Sequence, residues 1–314
     1  MKLLKLTPYC AKAIWGGNNL RTKYSKEADF DIAEAWELSG YPGKESRVAE
    51  GMYAGKTITE VIEAEGEQVL GSNSKKFEGF PILIKLIDAA KPLSIQVHPD
   101  DEIAKKLGAD GGKTEMWIIC EAEKDAFIYY GVNKALDGDT FSKAILDGSI
   151  TEHLNKVPVK PGDTFFIKAG TIHAIGAGIT ICEIQQTSDT TYRLYDYMRK
   201  DANGNMRDLH IEKGTVASKL VPPSHFYELG AIKGNEKVLV ECPFFTVSRI
   251  EVDGSETVNV DEKSFSAFTV TDGSGSIANA NEVVSVSKGD TVFVFAGAGE
   301  TALDGKMTVI RSRI

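Results

Sequence analysis

Short apolar segments rich in Ile, Val, Phe and Tyr recur along the chain, and Gly, Asp and Pro separate them. Segments of this kind, bounded by turn-forming residues, are typical of β-strands. The pattern predicts strands at Pro81–Ile87, Leu93–Val97, Met116–Cys120, Ala126–Tyr130, Thr164–Ile167 and Thr180–Ile184. Many short strands punctuated by turns indicate a mainly β chain, built as a sandwich or a barrel.

Helical signals are few, and each is marked by a capping residue or by a following Gly or Pro. The predicted helices are Thr57 to about Leu70 before Gly71, a helix between the Asp100–Asp101 cap and Gly108, Asp139–Leu146 before Gly148, and Glu212–Lys219 before Pro222–Pro223. The chain is therefore predicted to contain only a few short helices.

An internal repeat links the middle of the chain to its C-terminal part. The segment Val159–Gly170 recurs without a gap as Val286–Gly297. The identical pairs are Gly162 and Gly289, Asp163 and Asp290, Thr164 and Thr291, Phe166 and Phe293, Ala169 and Ala296, and Gly170 and Gly297. Each copy predicts a turn at Gly-Asp, a strand, and a second turn at Ala-Gly. Duplication predicts two related β-domains, residues 1–232 and 233–314, with the boundary in Leu229–Lys237.

The two copies of the repeat differ just after their closing glycine. The first copy continues to His173, whereas the second has Glu300 at the same offset. An imidazole can bind a metal or move a proton near neutral pH. We therefore expect the first domain to carry the chemistry and the C-terminal domain to be structural and without a metal site.

The composition narrows the possible partners. With 42% hydrophobic and 26% charged residues, the chain has the make-up of an ordinary globular protein. No apolar run approaches the roughly 18 residues of a membrane span, and no signal peptide is evident, which predicts a cytoplasmic protein without a membrane partner. The net charge of −9 argues against nucleic-acid binding, so an anionic substrate must be held by a few local cations. The four cysteines form no Cys-x-x-Cys pair and are predicted to be buried thiols.

Several candidate metal ligands lie near the predicted strand ends. Gln96 and His98 alternate at the end of an apolar run, so they face the same side of a strand. Glu115 begins another strand, with Lys113 two residues earlier, and His173 follows the first repeat. Two imidazoles, a carboxylate and an amide suit zinc with an open position, and equally manganese or ferrous iron. The alternative is that both histidines are ordinary hydrogen-bonded turn residues.

A polar and aromatic segment, Glu183–Arg199, follows the candidate ligands. Arg193 lies on the strand predicted after the Ser188–Asp189 turn. Its guanidinium presents a fixed fork of donors, which suits a phosphate or an enediolate oxygen. The alternative is a salt bridge with Asp189 or Asp196. The other histidines, His153, His210 and His225, are predicted to be structural or solvent-exposed.

These motifs resemble known families. The spacing Gly162-Asp-x-x-x-x-x-Ala-Gly-x-x-His173 resembles the second metal-binding motif of the cupin superfamily. Further segments resemble the type I mannose-6-phosphate isomerases, also called phosphomannose isomerases: Pro92–Asp101, Gly112–Glu115, Ser188–Asp196, Ile14–Gly17 and Glu34–Ser39. The resemblance extends in the same order from Trp15 to Arg199, and the short chain is similar to the compact bacterial members.

The resemblance implies a fold, a cofactor and a set of site residues. It implies a cupin double-stranded β-helix, or jelly roll, as the catalytic domain, followed by a smaller cupin-like β-domain. It implies one Zn²⁺ per chain, held by Gln96, His98, Glu115 and His173. It also implies Arg193 as the active-site arginine and Lys113 as a second active-site cation.

The implied reaction interconverts mannose 6-phosphate and fructose 6-phosphate through a cis-enediol. The base that removes the C2 proton stays open among Glu183, Lys113 and a zinc-bound water. Longer members carry a histidine where Gly112 stands here, so no base role can be assigned to that position. Lys168 replaces the proline usual in cupins, which changes a turn residue but no ligand. The alternatives are a metal-dependent cupin oxygenase and a non-catalytic cupin that binds a sugar phosphate.

Overall fold

The structure, a computed structural model, describes residues 2–200, 203–224, 232–233 and 236–314. Within them the strands are β1 (Leu3–Thr7), β2 (Tyr9–Ala11), β3 (Glu34–Leu38), β4 (Arg47–Val48), β5 (Ile82–Ala89), β6 (Ile95–Val97), β7 (Glu115–Ala122), β8 (Phe127–Val132), β9 (Leu154–Pro158), β10 (Thr164–Ile167), β11 (His173–Ile175), β12 (Ile179–Gln186), β13 (Tyr192–Tyr195), β14 (Ile232–Lys233), β15 (Glu236–Glu241), β16 (Thr246–Val260), β17 (Ser266–Ala278), β18 (Val283–Ser287), β19 (Thr291–Val294) and β20 (Gly299–Arg313). The α-helices are α1 (Asn19–Thr22), α2 (Ile58–Glu65), α3 (Asp101–Leu107), α4 (Gly138–Asp147) and α5 (Ile211–Ala217). Short 3-10 helices cover Gly51–Tyr53, Glu67–Leu70, Ser72–Lys76 and Ser149–His153. None of the helices in these ranges is long and apolar enough to cross a membrane.

The predicted strands are all present, as β5, β6, β7, β8, β10 and β12. Three predicted helices correspond to α3, α4 and α5, whereas the one predicted over Thr57–Leu70 is interrupted. Thr57 caps α2, but the helix ends at Glu65 because Gly66 adopts a φ of 89°, and the chain continues as a 3-10 helix. The four-residue helix α1 was not predicted.

Two antiparallel sheets form the first part of the chain as a β-sandwich. A six-stranded sheet has the order β10-β7-β12-β5-β3-β2, and a five-stranded sheet has the order β13-β6-β11-β8-β9. Side chains alternate along β7, so Trp117 and Ile119 pack between the two sheets while Met116 and Ile118 face the other side. Helices α4 and α5 cover the outer face of the five-stranded sheet.

The C-terminal strands form a third sheet with an apolar core of its own. Its order is β14-β15-β16-β20-β17-β19-β1-β4, with β18 paired to β17. The N-terminal strand β1 pairs with β19, so residues from the start of the chain complete this sheet. The predicted boundary segment Leu229–Lys237 lies largely outside the described residues, and the division into 1–232 and 233–314 stays a proposal.

The internal repeat has the same local structure in both places. Strands β10 and β19 are each preceded and followed by glycines in the left-handed region, with φ of 91° and 86° at Gly162 and Gly170 and 99° and 71° at Gly289 and Gly297. At Gly289 an added Cβ would lie 2.5 Å from the Tyr24 carbonyl oxygen, so only glycine fits. The repeat therefore fixes the turns on either side of a strand in each part of the chain.

We expect Phe293→Ala to destabilise the protein strongly. Phe293 is fully buried, and its ring centroid lies 4.9 Å from that of Phe265, in the core shared by the C-terminal sheet and the six-stranded sheet. Removing such a side chain typically costs about 3–5 kcal/mol. The free energy of unfolding, measured by chemical denaturation, checks this. Val283→Ala is the control, because Val283 is 71% exposed, and an equal loss in both variants would contradict the prediction.

Candidate active site

Three buried side chains from three strands meet inside the sandwich. His98 follows β6, Glu115 begins β7 and His173 begins β11. Their potential ligand atoms all lie within 4.8 Å of one another. Nε2 of His98 is 3.1 Å from Oε1 of Glu115, and Nε2 of His173 is 3.8 Å from Oε2 of Glu115. This is the single group of three or more His, Cys, Asp or Glu side chains so arranged in the described part of the chain.

Each imidazole is oriented by a hydrogen bond that its Nδ1 makes. Nδ1 of His98 lies 2.8 Å from the carbonyl oxygen of Thr190, and Nδ1 of His173 lies 2.8 Å from that of Thr171. A carbonyl oxygen only accepts, so each Nδ1–H donates and each Nε2 keeps its lone pair. Burial lowers the pKa of both histidines, to about 3 for His98. A neutral imidazole whose second nitrogen keeps a free lone pair is the usual form of a histidine metal ligand.

The three side chains are better suited to binding a cation together than to hydrogen-bonding with one another. Nε2 of His98 is buried without a hydrogen-bond donor, and it lies 3.1 Å from Oε1 of Glu115, which as a carboxylate oxygen only accepts. Two buried acceptors that face each other are unfavourable unless a cation lies close to both of them. Lys113 balances part of the charge, because its Nζ lies 3.0 Å from the same oxygen. The donor set is therefore chemically suited to a divalent metal.

Gln96 adjoins this group on the central strand of a three-strand array. In β6 it lies opposite His173 of β11 on one side and opposite Arg193 of β13 on the other. Its carboxamide nitrogen is 3.4 Å from Nε2 of His173. The oxygen and nitrogen of an amide exchange places by a half-turn, so Gln96 can present an oxygen to the same space. The register thus aligns a histidine, an amide and a guanidinium across three strands.

A cavity of about 350 Å³ opens next to the group. Its wall includes four cationic side chains, Lys85, Lys113, Arg193 and Arg207, together with Gln96 and Glu183. Three of the four cations pair with carboxylates, Lys85 with Glu34 at 3.1 Å, Lys113 with Glu115 and Arg207 with Asp196. The wall also carries the carboxylates of Glu34, Glu183 and Asp189, so the cavity is a polar site lined by both charges.

Arg193 has no carboxylate partner among the described residues. Asp189 pairs with Lys44, and Asp196 pairs with two other arginines, so the salt bridge that the sequence left open is not formed. Nη1 of Arg193 donates to the Asp208 carbonyl oxygen at 2.9 Å, and its Nε is buried without a partner. Burial lowers its pKa. The guanidinium is held in place while its charge stays uncompensated.

Glu183 and Lys113 are a buried carboxyl group and a buried amine on the cavity wall. The indole Nε1 of Trp117 donates to Oε2 of Glu115 and to Oε1 of Glu183, both at 2.9 Å. Burial and the neighbouring charge of Glu115 raise the pKa of Glu183 to about 8. Burial opposes the charge of Lys113, but Glu115 and Glu183 together raise its pKa, so it stays cationic.

The sequence did not reveal Lys85, Arg207 or the place of His210. Lys85 left a signal, because it is a charge in the middle of the apolar strand β5. Arg207 left none, since it lies in a polar stretch. Nδ1 of His210 accepts a hydrogen bond from the backbone N–H of Arg193 at 3.1 Å, a structural role beside the site. His153 is not part of the group formed by His98, Glu115 and His173, and His225 lies outside the described residues.

Comparisons with known proteins identify relatives of this chain. Residues 3–133 match the family model for the catalytic domain of phosphomannose isomerase type I, and residues 235–314 match the mannose-6-phosphate isomerase cupin domain. Mannose-6-phosphate isomerase ManA of Bacillus subtilis is 37% identical over 98% of this chain and 97% of its own. The mannose-6-phosphate isomerase of Streptococcus mutans is 37% identical over 96% of this chain and 95% of its own.

The fold agrees as well as the sequence. A crystal structure of the Bacillus subtilis mannose 6-phosphate isomerase superposes with a TM-score of 0.90 and 33% identity, over the full length of both chains. The mainly β cupin architecture predicted from the motifs is thereby confirmed. Because its relatives match over nearly the whole length, the chain belongs to the type I phosphomannose isomerase family, as the motifs indicated.

Proposed function

We propose that this protein is a zinc-dependent aldose–ketose isomerase that interconverts mannose 6-phosphate and fructose 6-phosphate through a cis-enediol. The observation that carries the proposal is the buried group of His98, Glu115 and His173, with both imidazole Nε2 atoms facing the carboxylate. The group adjoins a polar cavity whose wall carries two arginines and two lysines, which can contact an anionic sugar. The relatives are named mannose-6-phosphate isomerases, and the proposed substrate is taken from those names.

One zinc ion per chain would be held by Gln96, His98, Glu115 and His173. Nitrogen and oxygen donors with an open position are typical of catalytic zinc. When bound, the metal supplies Lewis-acid polarisation of the sugar oxygens. We also propose that the second β-domain takes no part in this chemistry.

The chain's own residues would orient the sugar and move its protons. Arg193 aims donors at the oxygen where enediolate charge develops, and it can do so because no carboxylate of the described residues pairs with it. Lys113, held as a cation, carries a proton beside a substrate oxygen. Of the bases that the sequence left open, we assign C2 proton removal to Glu183, because its carboxyl lines the cavity, whereas Lys113 is paired with Glu115 and already carries its proton.

The first test is an isomerase assay on the zinc-loaded protein. Mannose 6-phosphate is supplied, and fructose 6-phosphate formation and oxygen consumption are followed together. We expect fructose 6-phosphate to form without consumption of molecular oxygen. Oxygen uptake with ferrous iron would instead identify a cupin oxygenase, and binding without turnover would identify a non-catalytic sugar-phosphate-binding protein.

The partner in this proposal is the sugar-phosphate substrate. Nucleic-acid binding is not part of the proposal, in keeping with the net charge of −9. The cytoplasmic location stays a prediction from the sequence.

We expect Glu300→Gln to leave turnover within a few-fold of the unchanged protein. Glu300 is exposed on β20, where it lies opposite Asn259 of β16 in the C-terminal sheet. It occupies the repeat position that holds His173 in the first copy, so it tests directly whether the second copy contributes to catalysis. Steady-state kinetics check this. A loss of ~100-fold, about 2.7 kcal/mol of transition-state stabilisation, in a folded variant would contradict the structural role of the C-terminal domain.

A further inference from the structure

A tight turn without glycine follows β13 at the cavity. Tyr197 and Met198 both lie in the left-handed region, with φ of 55° and 53°. The backbone N–H of Arg199 donates to the carbonyl oxygen of Asp196 at 3.1 Å and closes the turn. Side chains larger than glycine rarely adopt this conformation, and it persists where the surroundings hold it in place. The turn therefore has a fixing interaction that outweighs its backbone preference.

The carboxylate of Asp196 is that fixing interaction. It is buried, and it accepts hydrogen bonds from two arginines at once. Arg199 contacts Oδ1 and also donates from Nη1 to the Pro92 carbonyl oxygen at 2.5 Å, which ties the turn to the segment before β6. Arg207 donates from Nε to Oδ2 at 2.8 Å and from Nη2 to Oδ1 at 2.6 Å. This paired geometry fixes the plane of the Arg207 guanidinium.

The two arginines differ in what else they face. Arg207 is part of the cavity wall, together with Arg193, whereas Arg199 is not. Asp196 engages the Nε and Nη2 side of Arg207, so Nη1 lies outside the paired hydrogen bonds. Burial and the nearby charge of Arg207 lower the pKa of Arg193, which reflects how close the two cations are.

The arginine side chains at this end of the cavity are suited to binding an anion. Arg199 and Arg207 share the buried carboxylate of Asp196. Arg193 pairs with no carboxylate of the described residues, because the Asp208 side chain is exposed and Asp189, on the same cavity wall, pairs with Lys44. Like charges gathered in a partly buried site repel one another unless an anion joins them. A phosphate group has the charge and the acceptor oxygens to do so.

We propose that Arg207, oriented by Asp196, binds the phosphate group of the sugar substrate; this inference rests on the proposed isomerase function and deepens it. Arg193 lies across from Gln96 and therefore beside the metal group, while Arg207 is fixed to the turn after β13. The two guanidiniums therefore have different roles. Arg193 serves the reacting carbons, and Arg207 anchors the far end of the substrate.

The test compares Arg207→Gln with Arg199→Gln in the zinc-loaded protein. Each variant removes one arginine from Asp196, but only the first removes a cavity cation, so Arg199→Gln is a matched control. For Arg207→Gln we expect KM for mannose 6-phosphate, and the inhibition constant of inorganic phosphate, to rise about 10- to 100-fold, as for a lost hydrogen-bonded charge. Its kcat should stay within about three-fold, the pattern of uniform binding loss. Arg199→Gln should leave both constants within about three-fold.

Two results would overturn the inference. One is unchanged KM and phosphate inhibition in Arg207→Gln; the other is an equal rise in both variants, which would reduce Arg207 to a support of the turn. If Arg207→Gln does not fold, Arg207→Lys keeps the charge but loses the pairing with Asp196, and it should still raise KM. Calorimetric titration of inorganic phosphate into the unchanged protein and the variants tests the anchor even if no isomerase activity is found, so the two proposals can fail separately.

Discussion

Replacing either His98 or His173 by alanine is expected to remove the bound zinc and to abolish isomerase activity. Both side chains are almost fully buried and are oriented by their Nδ1 hydrogen bonds. Loss of one ligand leaves an incomplete coordination shell in a site that was built for it. We expect metal to fall well below one equivalent per chain in each variant, and turnover to fall with it.

Elemental analysis after gel filtration measures this directly. His153→Ala is the control, since it removes an imidazole outside the metal group and should keep both zinc and turnover. Full metal occupancy in both His98→Ala and His173→Ala would reject the assignment of these residues as ligands.

Replacing Arg193 by lysine is expected to lower kcat on the order of 10²-fold, like the removal of one aimed oxyanion donor. Lysine keeps the charge but loses the fork of donors. The structure strengthens this expectation, because no described carboxylate pairs with Arg193 and its Nε is buried without a partner. A structural salt bridge would have placed the main effect on stability instead.

Steady-state kinetics, with metal content and Tm measured in parallel, distinguish the possible roles of Arg193. A raised KM with kcat largely spared would make Arg193 a phosphate anchor, the role that we give to Arg207. Unchanged kcat at normal metal content would end the proposal that Arg193 stabilises the enediolate.

The metal group was predictable from the sequence because its signals are local. Gln96 and His98 alternate at a strand end, and His173 follows a turn–strand–turn unit whose glycines need positive φ. What the sequence could not supply is the distance between these strands. Only the pairing of β6 with β11 and β13 brings Gln96 between His173 and Arg193.

The features that escaped prediction depend on contacts between distant parts of the chain. β1 joins the C-terminal sheet by pairing with β19, and no local pattern specifies that partner. The positive φ at Tyr197 and Met198 contradicts their own preference, because tertiary contacts of Asp196 decide it. Arg207 is brought to the cavity by the same contacts. By contrast, the break in the helix at Gly66 had a local cause that the sequence does show.

The most direct test of the central claim is a zinc titration of the metal-free protein. The protein is treated with a chelator, freed of it, and then supplied with increasing zinc while fructose 6-phosphate formation from mannose 6-phosphate is measured. We predict that activity is lost on chelation, returns in proportion to added zinc and levels off at one equivalent per chain. Full turnover in the metal-free protein, or none at one bound equivalent of zinc, would contradict the account.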